Sequence, residues 1–234
     1  MRKFLTAKWE DLIMANYEVE PDLLADFVPD GTAIDLFEGK CFVSLVGFRF
    51  LDTRVLGFSI PFHTDFEEVN LRFYVKRKAE DEERRGVVFI KEIVPKPAIT
   101  YVARTVYGEP YETWDMDSEK TEDELTYYWS KGLCDNRLHV EIAENTGVPE
   151  EGTEGEFIIE HYWGYTKRRQ NNTDEYKVEH PKWELFNVNY AEIDVDFGET
   201  YGDRFDFLSD TEPNSILLAK GSEISVYKGE RLRI

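Results

Sequence analysis

The alternation of apolar and polar side chains along the chain predicts a protein built mainly from β-strands. The clearest case is the segment from residue 66 to residue 76, in which every second side chain is apolar, as expected for a strand with one buried face. Its apolar face holds Val69, Leu71, Phe73 and Val75. Its opposite face holds Glu68, Asn70, Arg72 and Tyr74. This polar face either meets water or lines the polar floor of a barrel-like cavity, and the sequence leaves both alternatives open.

Other segments also have the pattern of strands. Between residues 41 and 50 both alternating faces are largely apolar, which predicts a central strand covered on both sides. We expect this strand to form a hairpin with residues 33–37, and residues 86–94 to pair with segment 66–76. Two further hairpins are predicted: 165–169 with 175–183 across the polar turn 170–174, and 215–220 with 223–228 across Gly221 and Ser222.

Short helices are predicted at residues 21–28, 97–107 and 154–162, where proline or a capping residue precedes an amphipathic run. The third begins at a capping box, in which Thr153 is followed three positions later by Glu156. Gly164 is expected to end it. Together these elements predict an α+β fold, predominantly antiparallel β and barrel-like or cone-like, with a few short helices.

The length of 234 residues fits a single β-rich domain covering residues 1–234. The polar segment 144–155 is the best candidate for an internal linker, but it is too short to establish a domain boundary. Hydrophobic residues make up 41% of the chain and aromatic residues 15%. This composition supports a substantial core, and it fits either ordinary core packing or a cavity lined by aromatic side chains.

The net charge of -20 argues against two classes of partner. Nucleic acids and anionic lipids both attract clustered positive charge, so we expect binding neither to nucleic acid nor to a membrane. No apolar stretch reaches the length of a membrane-spanning helix, and charged residues interrupt the beginning of the sequence before a signal peptide can form. Cys41 lies in an apolar strand and Cys134 in a predicted turn, without a CxxC motif. We therefore expect reduced thiols and a cytoplasmic protein.

Two of the four histidines lie in similar surroundings. His161 and His180 each follow a glutamate and precede a tryptophan by two or three residues, which indicates either a functional site or a structural contact. Their spacing matches no common metal-ligand motif, and the chain contains no phosphate loop or dinucleotide-binding glycine pattern. We expect neither a metal nor a cofactor. The candidate ligand-binding residues are Asn70, Arg72, Tyr162, Trp163, Tyr176 and His180.

Several stretches resemble the uncharacterised YqjF-like family. They are Phe66–Val75, Lys91–Pro95, Glu160–Thr166 and Val178–Trp183. The resemblance covers nearly the whole chain, and it implies a fold like that of acetoacetate decarboxylase, in which a mainly antiparallel β-cone surrounds an internal pocket.

The same resemblance implies two candidate catalytic residues. Acetoacetate decarboxylases form a Schiff base on a lysine at the end of a strand, which corresponds to Lys96 here, with Glu68 as its acidic neighbour. His161 is added as a candidate for proton transfer. However, Pro97 replaces the second lysine of the decarboxylase motif, and Glu18 stands where those enzymes carry an arginine. Without nearby cations to lower its pKa, Lys96 is expected to be ion-paired with a carboxylate and inactive as an amine.

These observations leave two functional hypotheses. In the first, the protein binds a small carbonyl or carboxylate compound in an internal cavity and acts on it as a lyase-like enzyme. In the second, it is a ligand-binding or sensor module that keeps the fold without Schiff-base chemistry. The ligand in both cases is an unidentified small molecule, and the sequence also leaves a homo-oligomer open.

Overall fold

This computed structural model of the protein describes residues 2–80, 82–168 and 172–232. Strands make up most of this part of the chain, and nearly all of their pairings are antiparallel. In chain order they are β1 (Lys3–Val19), β2 (Ala33–Ile34), β3 (Cys41–Val55), β4 (Phe58–Ser59), β5 (Phe66–Lys78), β6 (Glu83–Val94), β7 (Tyr111–Thr113), β8 (Asp115–Lys120), β9 (Glu124–Lys131), β10 (Cys134–Gly147), β11 (Trp163–Arg168), β12 (Asn172–Glu179), β13 (Leu185–Asp194), β14 (Ser215–Tyr227) and β15 (Glu230–Arg231).

The helices are short and connect the strands. They are α1 (Pro97–Val102), α2 (Glu154–Ile159) and α3 (Phe197–Tyr201), with 3₁₀ helices at Pro21–Leu24 and Asp203–Asp210 and a π-helical segment at Ala103–Tyr107. Helical structure therefore occurs in all three predicted regions. The predicted capping box is confirmed, because the Thr153 side chain accepts a hydrogen bond of 3.3 Å from the backbone N–H of Glu156. No helix in the described residues is long and apolar enough to cross a bilayer.

Seven strands close into a ring. Their order is β12, β11, β6, β5, β3, β1 and β14, and the ring closes because β14 pairs with both β1 and β12. Strands β13, β10, β9 and β8 continue the sheet from β14 and form a separate wing. This arrangement confirms the predicted antiparallel, barrel-like α+β fold.

Strand β3 separates two hydrophobic clusters, as its two apolar faces predict. Phe42, Val46 and Phe48 belong to the cluster inside the ring. Cys41 and Val43 belong to the other cluster, which also contains aromatic residues of the wing. Alternating side chains of this one strand therefore fill both the interior of the ring and the layer between the ring and the wing.

The predicted hairpin between residues 33–37 and 41–50 is wrong. Strand β2 pairs with β5 instead, and Phe37 forms only an isolated bridge with Lys40. The physical reason is the buried carboxylate of Asp35, which needs charged partners. It finds them at Lys76 on β5 and Arg85 on β6, so the segment is held against these strands.

The predicted final hairpin is also wrong, because residues 215–227 form one continuous strand, β14. Gly221 has a φ of 79°, but the chain does not reverse there. A Cβ atom at this position would lie 2.0 Å from the backbone oxygen of Trp9 on β1. The glycine therefore allows close approach of two strands, where the sequence pattern had indicated a turn.

Three smaller expectations also differ from the structure. Helix α2 ends at Ile159, and Gly164 lies in β11, where a Cβ atom would lie 2.1 Å from Cζ of the Tyr176 ring. Cys134 begins β10 and is not in a turn. Of the proposed linker, only 148–153 lie between elements.

The predicted hairpin of β11 and β12 is present, but its turn is shorter than expected. The turn was predicted at residues 170–174, whereas residues 172–174 belong to β12 and pair with β11; residues 170 and 171 lie outside the described residues.

Candidate functional site

The ring of strands encloses a cavity of about 360 Å³. Among the lining residues that the structure describes, only Ile60, Ala98 and Val102 are exposed, so the mouth lies between the segment that precedes β5 and helix α1. Most of the wall is apolar. Its apolar residues include Leu12, Phe48, Phe50, Phe66, Val87, Phe89, Ile158, Ile159 and Trp183.

The polar face of β5 lines this cavity and does not meet bulk water. Glu68, Asn70 and Arg72 all belong to the wall, and Glu68 and Asn70 are only 2% and 1% exposed. Of the two alternatives that the sequence left open, the structure therefore shows the cavity floor. This face is polar because it borders the cavity. The opposite, apolar face of β5 packs in the hydrophobic cluster between the ring and the wing.

Two further buried glutamates lie in the same wall. Glu92, on β6, is 3% exposed, and Glu109, which follows the π-helical segment, is 7% exposed. Burial raises the pKa of Glu68 and of Glu109 to about 7. It raises the pKa of Glu92 well above its usual value, and the neighbouring carboxyls of Glu109 and Glu68 raise it further. Glu68 can therefore give or take a proton near neutral pH.

Hydrogen bonds hold two of these three carboxyls in place. The Tyr111 hydroxyl donates to Glu68 Oε2 and the Asn70 amide donates to Glu68 Oε1, both at 3.0 Å. The Thr166 hydroxyl donates to Glu109 Oε1. Oε2 of Glu92, in contrast, is buried and has no hydrogen-bond partner among the described protein groups. Such an atom costs about 1–3 kcal/mol unless something else bonds to it, so it is a natural contact for a bound molecule.

Arg72 is the only lysine or arginine in the described cavity wall. Its guanidinium contacts the Met14 sulfur at 3.8 Å and lies 5.8 Å from the centre of the Tyr74 ring. No ion pair joins it to a carboxylate of the described residues, and its buried Nε has no hydrogen-bond partner there. Its positive charge also opposes protonation of Glu68, His161 and His180. The cavity wall thus contains a guanidinium with free donor capacity.

His161 lies in the cavity wall and is held by Asp35. Its Nε2 is 3.4 Å from Asp35 Oδ2, and Arg85 Nε lies 2.8 Å from the same oxygen. Burial lowers the pKa of His161 to about 4, so the ring is neutral at pH 7. Because the carboxylate only accepts, Nε2 carries the proton and the buried, unpartnered Nδ1 is an acceptor. The His161 ring also packs edge-on against the Phe157 ring, with ring centres 5.1 Å apart.

His180 is packed between aromatic rings at another part of the wall. Its ring stacks on Trp183 with centres 4.1 Å apart and lies 4.7 Å from the ring of Tyr162. Burial lowers its pKa to about 4 as well. Its Nδ1 is 2.8 Å from the Pro181 carbonyl oxygen, so it donates there as a neutral ring. The recurring histidine motif thus gives two neutral imidazoles in one cavity wall.

The structure brings together most of the predicted site residues. Besides the β5 residues and the two histidines, Trp163 and Tyr176 line the cavity. Tyr162 does not line it, and its hydroxyl donates to Glu160 at 2.7 Å. Lys96 is the residue before α1 and is not in the cavity wall. It makes no ion pair with a described carboxylate, so the expected ion pair is not formed among the described residues.

Sequence reasoning missed Glu109 and gave Glu92 no role in the cavity. Glu109 stands between Gly108 and Pro110 in a segment with no periodic pattern, so nothing local marks it as buried. Glu92 was visible as the one acid between Ile90 and Ile93 on an apolar strand, and a buried acid of this kind indicates a site. In the described residues, no group of three or more His, Cys, Asp or Glu side chains is arranged to hold a metal ion.

Comparison with known proteins agrees with the family resemblance noted in the sequence. Residues 6–223 match the DUF2071 family, which is described as an uncharacterized conserved protein. The chain is 29% identical over 192 residues to the uncharacterized protein YqjF of Bacillus subtilis (strain 168), a match that covers 80% of this chain and 76% of YqjF.

Solved structures with a similar fold include decarboxylase-like enzymes. An acetoacetate decarboxylase from Legionella pneumophila matches 99% of this chain and 88% of its own, with a TM-score of 0.70 and 13% identity. The enduracididine biosynthesis enzyme MppR, complexed with pyruvate, matches 100% and 91%, with a TM-score of 0.69 and 11% identity. An acetoacetate decarboxylase-like enzyme from Sphingomonas wittichii RW1 matches 100% and 94%, with a TM-score of 0.66 and 11% identity. At these identities the likeness shows the fold, and it confirms the fold expected from the sequence.

Proposed function

This chain belongs to the DUF2071 family of uncharacterized conserved proteins, and we propose that it binds a small carbonyl or carboxylate compound in its cavity without forming a covalent bond to it. The observation that carries this proposal is the composition of the cavity wall. Arg72 is its only cation among the described residues, and no described lysine belongs to it. A ligand in this cavity meets a guanidinium and buried carboxyl groups whose pKa values are raised, and it does not meet a described lysine amine.

Arg72 suits the anionic or carbonyl group of such a ligand. A guanidinium presents several N–H donors in a planar fork that matches a carboxylate. The donor at Nε is buried without a protein partner, and a carboxylate or carbonyl oxygen would satisfy it. Because the protein supplies no carboxylate within ion-pair distance among its described residues, the positive charge is left for the ligand.

The glutamates extend this polar region. With its pKa raised to about 7, Glu68 is substantially protonated in neutral solution and can then donate to a ligand oxygen. The buried acceptors on Glu92 and His161 suit a ligand hydroxyl. MppR, which has a similar fold, was solved in complex with pyruvate, and this supports a carbonyl or carboxylate compound as the ligand class here.

Replacing Arg72 with methionine is expected to weaken binding of carboxylate ligands by about 10- to 100-fold, since a hydrogen bond to a charged group contributes about 1.5–3 kcal/mol. Isothermal titration calorimetry with a panel of keto acids and carboxylic acids measures the loss. Lys96→Met is the matched control, because it removes a cation outside the wall and should leave affinity unchanged. Equal affinity of wild type and Arg72→Met for every ligand that binds would contradict the assignment of Arg72.

No Schiff base is expected to form at Lys96. The residue lies outside the cavity wall, so a ligand carbonyl bound inside does not reach its amine. Borohydride reduction in the presence of the same keto acids, followed by peptide mass spectrometry, is expected to give no adduct at Lys96 above the level at exposed lysines such as Lys220. A near-stoichiometric adduct at Lys96 would instead favour the lyase-like hypothesis.

A further inference from the structure

The cavity is large for a three- or four-carbon ligand. A dry cavity of about 150 Å³ lined by aliphatic and aromatic side chains holds benzene, which has six carbon atoms. The cavity here has about 360 Å³. By that proportion it has room for on the order of a dozen carbon atoms. A ligand the size of pyruvate would leave most of the apolar wall in contact with water.

Polar and apolar groups occupy different parts of the wall. The carboxyls of Glu68, Glu92 and Glu109 are all less than one-tenth exposed. The exposed lining residues at the mouth, Ile60 and Val102, are apolar and are 48% and 45% exposed. The cavity therefore changes from polar and buried to mainly apolar and open, with His63 as a polar lining residue near Ile60. It suits a molecule with one polar end and a long apolar body.

Apolar surface continues beyond the mouth. Phe58 and Phe62, which flank Ile60 in the chain, are 76% and 89% exposed, and Tyr101, next to Val102, is 70% exposed. Exposed apolar side chains concentrated at the entrance of an apolar cavity mark a contact surface for a ligand. This surface is joined to the cavity through Ile60 and Val102, which belong to both.

We propose that the ligand is a long-chain carboxylic acid or carbonyl compound, with its polar group at the Arg72 end of the cavity and its hydrocarbon chain passing between Ile60 and Val102. This inference rests on the proposed function and specifies its ligand. Each methylene taken out of water contributes about 0.8 kcal/mol, which corresponds to a roughly fourfold gain in affinity. Affinity should therefore rise with chain length until the chain leaves the mouth.

The test is calorimetry with pyruvate and with unbranched saturated acids of increasing length, from butanoate through octanoate to dodecanoate. We expect affinity to increase on the order of a hundredfold from octanoate to dodecanoate. Ile60→Asn should reduce dodecanoate affinity at least about tenfold while leaving that of butanoate unchanged. Leu133→Asn is the matched control, because this exposed side chain lies between β9 and β10 in the wing and does not line the cavity, and it should bind both acids like wild type. Thermal melting shows that each variant is folded.

The possible failures are distinguishable. If pyruvate or butanoate binds as tightly as dodecanoate, the long-chain inference is wrong and the proposed function stands. If dodecanoate binds tightly but Ile60→Asn and Leu133→Asn behave alike, the chain does not pass this mouth and the inference is overturned. If no acid or carbonyl compound of any length binds, the proposed function fails, and the inference fails with it.

Discussion

Replacing Gly221 with alanine is expected to destabilise the protein by more than about 4 kcal/mol, and so to abolish cooperative folding at 37 °C. Two effects combine. The backbone at Gly221 has a φ of 79°, which costs an L-residue about 1 kcal/mol or more. The new Cβ atom would also lie 2.0 Å from the Trp9 oxygen, a backbone atom that cannot rotate away. Urea unfolding followed by circular dichroism measures the loss.

Gly132→Ala separates the two effects. Gly132 has a similar φ of 67°, but nothing lies within 4 Å of a Cβ atom built there. This control should therefore show only the conformational cost, about 1 kcal/mol. If the two variants lose equal stability, the close contact of β14 with β1 at this position is not as tight as the structure shows.

Replacing Glu92 with glutamine is expected to stabilise the protein at pH 8. Burial and the neighbouring carboxyls of Glu109 and Glu68 raise the pKa of Glu92 in the folded state. The folded protein then holds a proton that the unfolded chain releases near pH 4.5. The stabilisation that comes from protonated Glu92 is fully present below pH 4.5. It is lost as the pH rises toward the pKa of Glu92 in the folded protein. Glutamine is neutral at every pH and avoids this loss.

Urea unfolding of wild type and Glu92→Gln at pH 5, 6.5 and 8 tests this expectation. The two proteins should be nearly equally stable at pH 5, and the difference should grow toward pH 8. Glu122→Gln, at an exposed position, is the control and should follow wild type throughout. A constant difference between Glu92→Gln and wild type at all three pH values would show that Glu92 does not titrate on unfolding in this range.

The strands and their faces were predictable because a strand exposes alternate side chains to different surroundings. On β5 the polar face, including Glu68 and Arg72, was identified correctly, but the sequence left its surroundings undecided. A polar face against water and a polar face against a cavity have the same sequence pattern. Only the closure of the ring, through the pairing of β14 with both β1 and β12, distinguishes them.

Pairing partners were harder to predict than strands, because pairing depends on distant residues. Gly221 followed by Ser222 has the composition of a turn, yet β1 holds both halves of the segment in one strand. The segment that contains Asp35 likewise does not form the expected hairpin, because the Asp35 carboxylate pairs with Lys76 on β5 and Arg85 on β6. Glu109 gave no local signal, since its burial depends on Thr166, which is 57 positions away and hydrogen-bonded to it. These features follow from tertiary contacts that no short window of sequence contains.

The position of β1 between β3 and β14 also bears on how the protein folds during synthesis. The side chains of Asn16 on β1 and Ser215 on β14 are hydrogen-bonded although they are 199 positions apart. At a translation rate of about 5–20 residues per second, β14 is synthesised roughly 10–40 seconds after β1. During this interval a long, apolar strand edge is exposed beside β3, and such edges pair readily with other chains. The ring that encloses the cavity in the finished protein thus makes the nascent chain dependent on protection from aggregation until its last long strand is synthesised.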